Sequence, residues 1–321
     1  MDNLWQFADD KGTFKSDSAQ SIKSLYFPLC NERVMSSLTV DLHGDIKSGN
    51  NSFLLEPVSR ISLTSSCASR NFWVYINKDK IWSATGVSKD LRQIKNDSVS
   101  FEACLLWQKV TRENKSIGLK AEILSFIPAT NEPVEIMQVK LTNVSSQELK
   151  FTPTAAIPIY ARGANNLRDH RHVTSLLQRI KLDKFGVISK PTLAFDEAGH
   201  KPNKNYFFVL GWNAAGEAAQ HIYPTQDMFC GDGGDLEAPE SVYENSLPKE
   251  ENIQGREPMG AFRFKAVKLG KGRSVTYIIL SGISEISSDI NKAKKKFNSL
   301  KKVQDSFEET KKFWQIGRAH V

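Results

Sequence analysis

The stretch EIMQVKLTNVSSQELKFTPTAAIPIY, residues 135–160, carries the pattern that decides the fold. Met137, Val139 and Leu141 are separated by single polar residues. After the sequence NVSSQ, the same alternation resumes at Leu149. A period of two places alternate side chains on one face of a strand. The stretch therefore predicts two β-strands joined by a turn, and we expect them to pair as a hairpin.

Residues 260–282, GAFRFKAVKLGKGRSVTYIILSG, repeat this plan. Phe262 and Phe264 precede the turn sequence KLGKG. Tyr277 and Ile279 follow it, which again predicts a strand on each side of a turn. Short alternating segments of this kind follow one another from about residue 100 onward. Regular strand spacing with few long helices is typical of a large antiparallel β-sandwich, so the expected fold class is mainly β.

The periodicity changes near the end of the sequence, where Ile290, Ala293 and Phe297 recur at steps of three and four residues. The same spacing continues through Leu300, Phe307 and Trp314. It predicts an amphipathic α-helix, and Ser288 or Asp289 is the expected N-cap. Such a helix needs a partner surface that covers its apolar stripe.

The composition is that of a folded globular protein. Of 321 residues, 40% are hydrophobic and 25% are charged, which excludes the disordered, collagen-like and coiled-coil classes. The net charge is +7, and much of it comes from lysines within residues 292–312. No basic stripe with interleaved aromatic residues occurs elsewhere, so we expect no nucleic-acid partner.

The sequence contains no long apolar run and no closely spaced pair of cysteines. The first residues contain no apolar run long enough for a signal peptide, and no apolar stretch of 18 residues occurs anywhere. We therefore expect a cytoplasmic protein with no membrane partner. Four cysteines are scattered along the sequence, at Cys30, Cys67, Cys104 and Cys230. Their spacing indicates neither a disulfide framework nor a zinc site, and we expect reduced core residues.

A mixed cluster of charges occurs in NNLRDHRHV, residues 165–173. A metal site could use His170 and His172, which would share one face of a strand, but Asp169 would point the other way. The flanking arginines would also repel a cation. A catalytic relay would need Ser175 beside a histidine and Asp169, and nothing in the sequence fixes that geometry. A third interpretation is structural, because arginine and aspartate often tie a long loop to a sheet by charge-assisted hydrogen bonds.

Three further motifs are best explained by structure. LHGDIKSGNNSF, residues 42–53, contains polar side chains but also glycines that suit a turn. Trp73, Trp82 and Trp107 could stack on sugars, yet their alternating surroundings favour core packing. GDGGD, residues 231–235, lacks the regular oxygen spacing of a calcium loop and favours a glycine turn.

Long stretches of the sequence resemble one enzyme family. Residues 24–59, the stretch SRNFWVYINKDKIWSATGVS at 69–88, and residues 105–180 are similar to the N-terminal region of bacterial glycoside phosphorylases. These are the cellobiose, cellodextrin and laminaribiose phosphorylases of glycoside hydrolase family 94, formerly glycosyltransferase family 36. Residues 191–201 and 223–242 resemble the same region, so the resemblance covers nearly the whole sequence.

The resemblance implies a division into domains. Residues 1–285 would form a galactose mutarotase-like β-supersandwich, and residues 286–315 would begin a helical linker to an (α/α)6 catalytic barrel. The barrel and its general-acid aspartate would lie beyond this sequence, so we expect no catalytic residue within it. Residues 316–321, IGRAHV, match the translation of a sequencing adapter. We therefore expect the natural protein to continue where this sequence stops.

The resemblance also implies a reaction, the reversible phosphorolysis of a β-linked gluco-oligosaccharide to α-glucose 1-phosphate. Inorganic phosphate is the nucleophile and co-substrate, and neither a metal nor a cofactor is needed. Arg168, Asp169, His170 and Arg171 would then hydrogen-bond the acceptor sugar, and the complete protein would be a homodimer. Two alternatives stay open: a self-standing carbohydrate-binding or structural module, and a small hydrolase with its own site in the sandwich.

Overall fold

The fold is built almost entirely from short antiparallel strands. A computed structural model describes residues 5–17, 19–22, 24–91, 95–167, 171–196 and 199–316. In chain order, the strands are β1 (Gln6–Phe7), β2 (Phe14–Ser16), β3 (Tyr26–Cys30), β4 (Met35–Thr39), β5 (Ile46–Ser48), β6 (Ser52–Phe53), β7 (Asn71–Asn77), β8 (Lys80–Ser83), β9 (Asp97–Cys104), β10 (Trp107–Asn114), β11 (Leu119–Phe126), β12 (Val134–Asn143), β13 (Leu149–Pro158), β14 (Ile180–Asp183), β15 (Gly186–Ser189), β16 (Leu193–Asp196), β17 (Gly199–Pro202), β18 (Tyr206–Asn213), β19 (His221–Thr225), β20 (Pro258–Arg263), β21 (Val267–Leu269) and β22 (Ser274–Ser284).

Helices are few and short until the C-terminal segment. The α-helices are α1 (Arg171–Ser175), α2 (Gln226–Cys230), α3 (Glu240–Tyr243), α4 (Ser287–Lys296) and α5 (Leu300–Ile316). Single turns of 3-10 helix lie at Ala19–Ile22, Ser66–Ala68 and Ala164–Leu167.

The strands of the described residues form two large sheets and two small ones. The larger has ten strands in the order β1-β2-β9-β10-β11-β12-β22-β18-β15-β14. The second has the order β19-β20-β13-β7-β8, with β21 also paired to β13. A four-stranded sheet, β3-β4-β5-β6, and the ribbon β16-β17 complete the set.

The two large sheets face each other across the main core. Val139 and Ile279 come from the ten-stranded sheet, and Phe72 and Phe262 come from the six-stranded sheet. The ring centroids of Phe72 and Tyr277, one from each sheet, lie 5.3 Å apart. Because each sheet buries one apolar face against the other, this is a sandwich. The mainly β, antiparallel fold predicted from the sequence is confirmed.

The predicted hairpin within residues 135–160 is wrong. β12 pairs with β11 and β22 in the ten-stranded sheet, whereas β13 pairs with β7, β20 and β21. Each strand turns apolar side chains toward the same core, so the chain crosses from one sheet to the other. Asn143 fastens the crossing, because its Nδ2 donates to the carbonyl oxygens of Gln147 and Leu269, each at 2.7 Å.

Residues 260–282 cross between the sheets in the same way. β20 and β21 belong with the six-stranded sheet, and β22 lies between β12 and β18 in the other. The turn itself is where the sequence predicts it, since the Arg273 amide donates to the Gly270 carbonyl at 3.0 Å. A period of two therefore located the strands but did not reveal which strands pair.

The C-terminal segment forms two helices rather than one. α4 ends at Lys296 and α5 begins at Leu300. The predicted N-cap is also wrong, because Ile286 precedes α4 and makes no side-chain cap. Asp289 instead accepts a hydrogen bond from Arg33 Nη2 at 2.7 Å. This charged hydrogen bond links α4 to the loop before β4.

The apolar stripe of the helices is covered by the outer face of the ten-stranded sheet. Ile290, Ala293 and Phe297 lie in one buried cluster with Ile136 of β12. Trp212 Nε1 donates to the Phe297 carbonyl oxygen at 3.1 Å. The sheet is therefore buried on both faces here, which is why β12 is apolar on both sides near its start.

The structural explanations of the tryptophan and glycine motifs are confirmed. Trp73 and Trp82 are fully buried, and Trp107 is 7% exposed. Gly231 in GDGGD has a φ of +84°, a turn conformation. Gly44, in LHGDIKSGNNSF, has a φ of +132°, and a Cβ there would collide with the Ser37 carbonyl.

The cysteine prediction is confirmed in part. Among the described residues none of the four cysteines forms a disulfide, but only Cys230 is buried, and the other three are half-buried. Burial is the main reason that the pKa of Cys230 is raised to about 12, so this thiol stays protonated. In the part of the chain that the structure covers, none of the helices has both the length and the apolar character required to cross a bilayer.

Candidate functional site

The charged motif NNLRDHRHV falls at a gap in the described residues. Arg168, Asp169 and His170 lie outside them. Arg171 is the first residue of α1, but its side chain also lies outside the described part. The four predicted sugar-binding side chains therefore stay a prediction. The residues on both sides of the gap are described, and they define the surroundings.

A polar cavity of about 210 Å³ lies beside this gap. Its lining combines amide side chains and lysines with a few apolar residues, and both flanks of the gap contribute to it. The lining residues are Asn51, Ser52, Ala161, Arg162, Gly163, Asn166, Thr174, Leu177, Gln178, Pro191, Leu193, Ala194, Lys201, Pro202, Asn203, Lys204, Asn205, Phe207 and Glu285. A volume of that order holds several water molecules or one sugar-sized ring.

Arg162 makes several charged hydrogen bonds in the wall. Its side chain is 3% exposed, and its Nη2 lies 2.7 Å from Oε1 of Glu257. Nη1 donates to the second oxygen of Glu257 at 2.9 Å and to the Tyr160 carbonyl at 2.8 Å. Nε donates to Oγ1 of Thr174, in α1, at 2.7 Å. One guanidinium thus joins the end of β13, the start of β20 and the helix that follows the charged motif.

The N-terminal flank of the gap is held by Asn51. Its Oδ1 accepts the Ala164 amide at 3.0 Å. Gly163 packs directly against this amide side chain, and a Cβ at that position would collide with it. Phe53 donates its backbone amide to the Arg162 carbonyl at 2.9 Å. These bonds fix the position of residues 162–164, where the chain leaves the sandwich.

The C-terminal flank is held by Gln178, which is fully buried. Its Oε1 accepts the Ser189 hydroxyl at 2.6 Å, and its backbone carbonyl accepts the Gly255 amide at 3.1 Å. Its Nε2 has no hydrogen-bond partner among the described residues. Gln254 adds two bonds to the backbone of Ile180, at 3.0 and 2.7 Å. Both ends of the motif are therefore anchored in the sheets.

The amide groups of the wall suit a hydroxyl-rich ligand. Asn166 and Gln178 are buried amides, and Asn203 and Asn205 lie nearby in the same wall. Amide groups both donate and accept hydrogen bonds, as sugar hydroxyls do. The charge of Arg162 is matched by Glu257. Within the described ranges, no group of three or more histidine, cysteine or carboxylate side chains could hold a metal ion.

Sequence reasoning missed most of this wall. Asn51 was assigned to turn chemistry, and Arg162, Gln178 and Glu257 were not singled out. One signal was available for Arg162, because it directly continues the apolar run AAIPIYA at 155–161. A charged residue within a buried stretch almost always has a partner. The partner itself, about 95 positions away, leaves no comparable trace in the sequence.

The family model for the supersandwich domain of glycosyl hydrolase 94 matches residues 62–302. The chain therefore belongs to glycosyl hydrolase family 94, as its resemblance implied. It carries a domain of a family of carbohydrate-active enzymes. The matched region runs through α4 and into the first turn of α5. No curated protein sequence matches the chain.

Solved structures with a similar fold share little sequence with this chain. A bacterial glucoamylase in complex with acarbose is 9% identical, with a TM-score of 0.50, and the match covers 98% of this chain and 38% of that one. An aldose epimerase homologue from C. elegans is 9% identical, with a TM-score of 0.44 and coverages of 82% and 99%. A galactose mutarotase-like protein from Clostridium acetobutylicum is 8% identical, with a TM-score of 0.42 and coverages of 81% and 95%. The supersandwich of the family 94 model is the fold of this chain.

Proposed function

We propose that this chain is the N-terminal part of an inverting β-glucoside phosphorylase. The observation that carries the proposal is the match of the family 94 supersandwich domain over residues 62–302. The chain spans 38% of the length of the glucoamylase with which it shares its fold. On this proposal residues 1–285 are the sandwich and residues 286–315 begin the linker to a catalytic barrel that carries the general-acid aspartate.

The proposed reaction needs one protein acid and no base. Inorganic phosphate attacks the anomeric carbon of a β-linked gluco-oligosaccharide and yields α-glucose 1-phosphate and a shortened sugar. An inverting hydrolase requires a carboxylate to activate water, but phosphate is already an anion. Because the general acid would lie in the barrel, the 321-residue chain would be inactive alone. Its part is to border the acceptor sugar and to support a cytoplasmic homodimer.

The charged motif is the proposed point of contact with sugar. Arg168, Asp169, His170 and Arg171 lie between two flanks that are anchored in the sheets. The adjacent cavity offers amide groups such as Asn166 and Asn205, which suit hydroxyl groups. We assign the acceptor oligosaccharide to this side of the sandwich.

The test uses the complete gene. The purified full-length protein is assayed for phosphate release from α-glucose 1-phosphate, with glucose, cellobiose and laminaribiose as acceptors. We expect phosphate release with at least one acceptor, and none from the 321-residue chain. Enzyme-like cleavage of a glucoside by the 321-residue chain, without phosphate, would favour the small hydrolase instead.

A second candidate is a self-standing carbohydrate-binding module. It is favoured by one observation: α4 and α5 pack on the ten-stranded sheet, so the apolar stripe of the helices is already covered. The two candidates predict different gene sequences after the codon for Trp314. A stop codon directly after the codon for Trp314, with saccharide binding by the chain alone, would support the module and overturn the phosphorylase.

A further inference from the structure

The polar cavity of about 210 Å³ is lined by a buried amide whose hydrogen bonding is incomplete. Gln178 lines this cavity and is fully buried. Its Nε2 has no hydrogen-bond partner among the described residues. A buried donor without a partner destabilises a fold, and a bound molecule that accepts the hydrogen bond removes this cost. The amide therefore marks the cavity as a place for a ligand that carries hydrogen-bond acceptors.

The side chain of Gln178 is held in a fixed direction. Its Oε1 accepts the Ser189 hydroxyl at 2.6 Å. Its backbone amide donates to the Ser175 carbonyl at 3.0 Å, and its backbone carbonyl accepts the Gly255 amide at 3.1 Å. These bonds hold both the main chain and the amide oxygen. Little freedom is then left for a ligand to remove, and such preorganisation favours binding.

Other amides of the wall supply further hydrogen-bonding groups. Asn166 lines the cavity and is 4% exposed. Asn205 donates Nδ2 to the Ser52 hydroxyl at 2.9 Å, a bond that leaves Oδ1 as an acceptor. The wall therefore combines donors with acceptors, as the recognition of hydroxyl groups requires.

Apolar side chains lie between these amides. Leu177, Pro191 and Phe207 line the same cavity, and Pro191 and Phe207 are buried. Water molecules beside such groups lack hydrogen-bond partners on that side. A pyranose ring carries hydroxyl groups at its edge and C–H groups on its faces. It can therefore bond to the amides and cover the apolar part of the wall at the same time.

The charges around the cavity do not form an anion site. Both terminal nitrogens of Arg162 bind Glu257, so this guanidinium fork already holds a carboxylate. Three other charged residues line the cavity, and all are exposed to solvent, where water and salt screen them: Lys201, Lys204 and Glu285. The buried part of the wall thus suits an uncharged ligand.

We propose that this cavity binds one uncharged sugar ring, with Gln178 Nε2 as donor to a sugar oxygen and Asn205 Oδ1 as acceptor from a hydroxyl. The inference rests on the proposed function, which supplies the saccharide as ligand. It goes further because the site uses residues of the sandwich alone and is complete within the 321-residue chain. No residue of the cavity is assigned a part in bond cleavage.

A second buried glutamine provides a matched control. Gln108, in β10, is also fully buried. Its Nε2 donates to the Thr39 carbonyl at 3.2 Å, and its Oε1 has no partner among the described residues. Gln108 is not one of the residues that line the cavity. Gln178→Met and Gln108→Met each remove one bonded and one unpartnered amide atom, but only the first removes a donor from the cavity.

The experiment titrates the 321-residue chain, labelled with ¹³C at its leucine methyl groups, with D-glucose. The methyl resonances of Leu177 should shift and saturate with a Kd of about 1–10 mM, as expected for so small a ligand. Those of Leu141, in the main core, should stay in place. In Gln178→Met the Kd should rise about fivefold to tenfold, the loss of one hydrogen bond. Gln108→Met should keep the wild-type Kd.

Three results would overturn the assignment. Absence of a saturable Leu177 shift with glucose, cellobiose and laminaribiose would show that the cavity holds water only. An equal loss of affinity in both glutamine variants would remove Gln178 from the site. Tighter binding of α-glucose 1-phosphate than of glucose would show that the site takes an anion. Should Gln178→Met not fold, Asn205→Leu takes its place, and an unchanged Kd in that variant would likewise contradict the site.

The phosphate-release assay of the full-length protein tests the proposed function separately. Phosphate release by the full-length protein, without glucose binding by the 321-residue chain, would sink the cavity site alone. Glucose binding that depends on Gln178, without phosphate release from the full-length protein, would support the site and contradict the phosphorylase.

Discussion

Two arginine–glutamate pairs in this sandwich have a buried guanidinium, Arg70 with Glu135 and Arg162 with Glu257. In the first, Nε and Nη2 of Arg70 bind the two oxygens of Glu135 at 2.7 and 2.8 Å. In the second, Nη2 and Nη1 of Arg162 bind Glu257 at 2.7 and 2.9 Å. Each arginine also donates to a backbone carbonyl and to a buried hydroxyl. The bonding chemistry is nearly the same.

The surroundings differ. The side chains of Arg70 and Glu135 are 0% and 1% exposed, and Arg70 links the start of β7 to β12 and to the four-stranded sheet. Arg162 and Glu257 are 3% and 23% exposed, and they lie beside a polar cavity and a short helix. The first pair links strands of the sandwich, whereas the second also holds α1 beside the cavity. Similar contacts thus have different roles according to what they hold.

The largest expected effect is on the first pair. Glu135→Gln keeps the shape of the side chain but leaves the Arg70 guanidinium buried without a countercharge. Breaking such a pair costs about 3–5 kcal/mol in the free energy of unfolding. Urea unfolding of the 321-residue chain measures it as a lower midpoint at an unchanged slope. A loss below about 1 kcal/mol would mean that water reaches the Arg70 guanidinium and compensates its charge, which would contradict its burial.

A smaller loss is expected for Glu257→Gln. The carboxylate of Glu257 is partly exposed, so water compensates some of the lost interaction. We expect a loss of about 1.5–3 kcal/mol, the range for hydrogen bonds to charged groups. The same unfolding experiment tests the order of the two variants. If Glu257→Gln proves more destabilising than Glu135→Gln, burial is not what distinguishes the pairs.

The smallest effect is expected for an exposed pair that serves as a baseline. Lys78 and Glu244 lie 3.6 Å apart, and their side chains are 75% and 62% exposed. Solvent screening leaves such a pair little net energy, so Lys78→Ala should change the free energy of unfolding by less than about 0.5 kcal/mol. A loss as large as that of Glu257→Gln would show that charge pairing in this chain is not graded by exposure.

The sequence could predict elements but not their partners. Alternation at Met137, Val139 and Leu141 located β12 correctly, because the period of two is a local property. It could not reveal that β12 pairs with β22, more than 130 positions away. The same limit hid Arg162 and Glu257, since an ion pair between distant positions has no local pattern. The split between α4 and α5 was likewise missed, because Phe297 and Leu300 keep a helical spacing across the break.

The same distinction between local and distant residues applies to the candidate site. The residues of NNLRDHRHV are adjacent in the sequence, so their charge cluster was visible at once. The wall beside them is assembled from β6, α1, β16, β17, β18 and adjoining loops, which only the fold brings together. The anchoring amides, Asn51 and Gln178, are ordinary residues whose importance depends on position alone.

The central claim is that the bond from Arg162 to Thr174 holds α1 in place beside the cavity. Hydrogen–deuterium exchange of the 321-residue chain tests it without any assay of activity. In Thr174→Val, peptides covering residues 164–175 should exchange faster than in the wild type, while peptides from β4 and β12 keep their protection. Ser36→Ala, which removes the matching bond from Arg70 Nη2 in β4, should give the opposite pattern. Equal exchange of residues 164–175 in Thr174→Val and the wild type would contradict the claim.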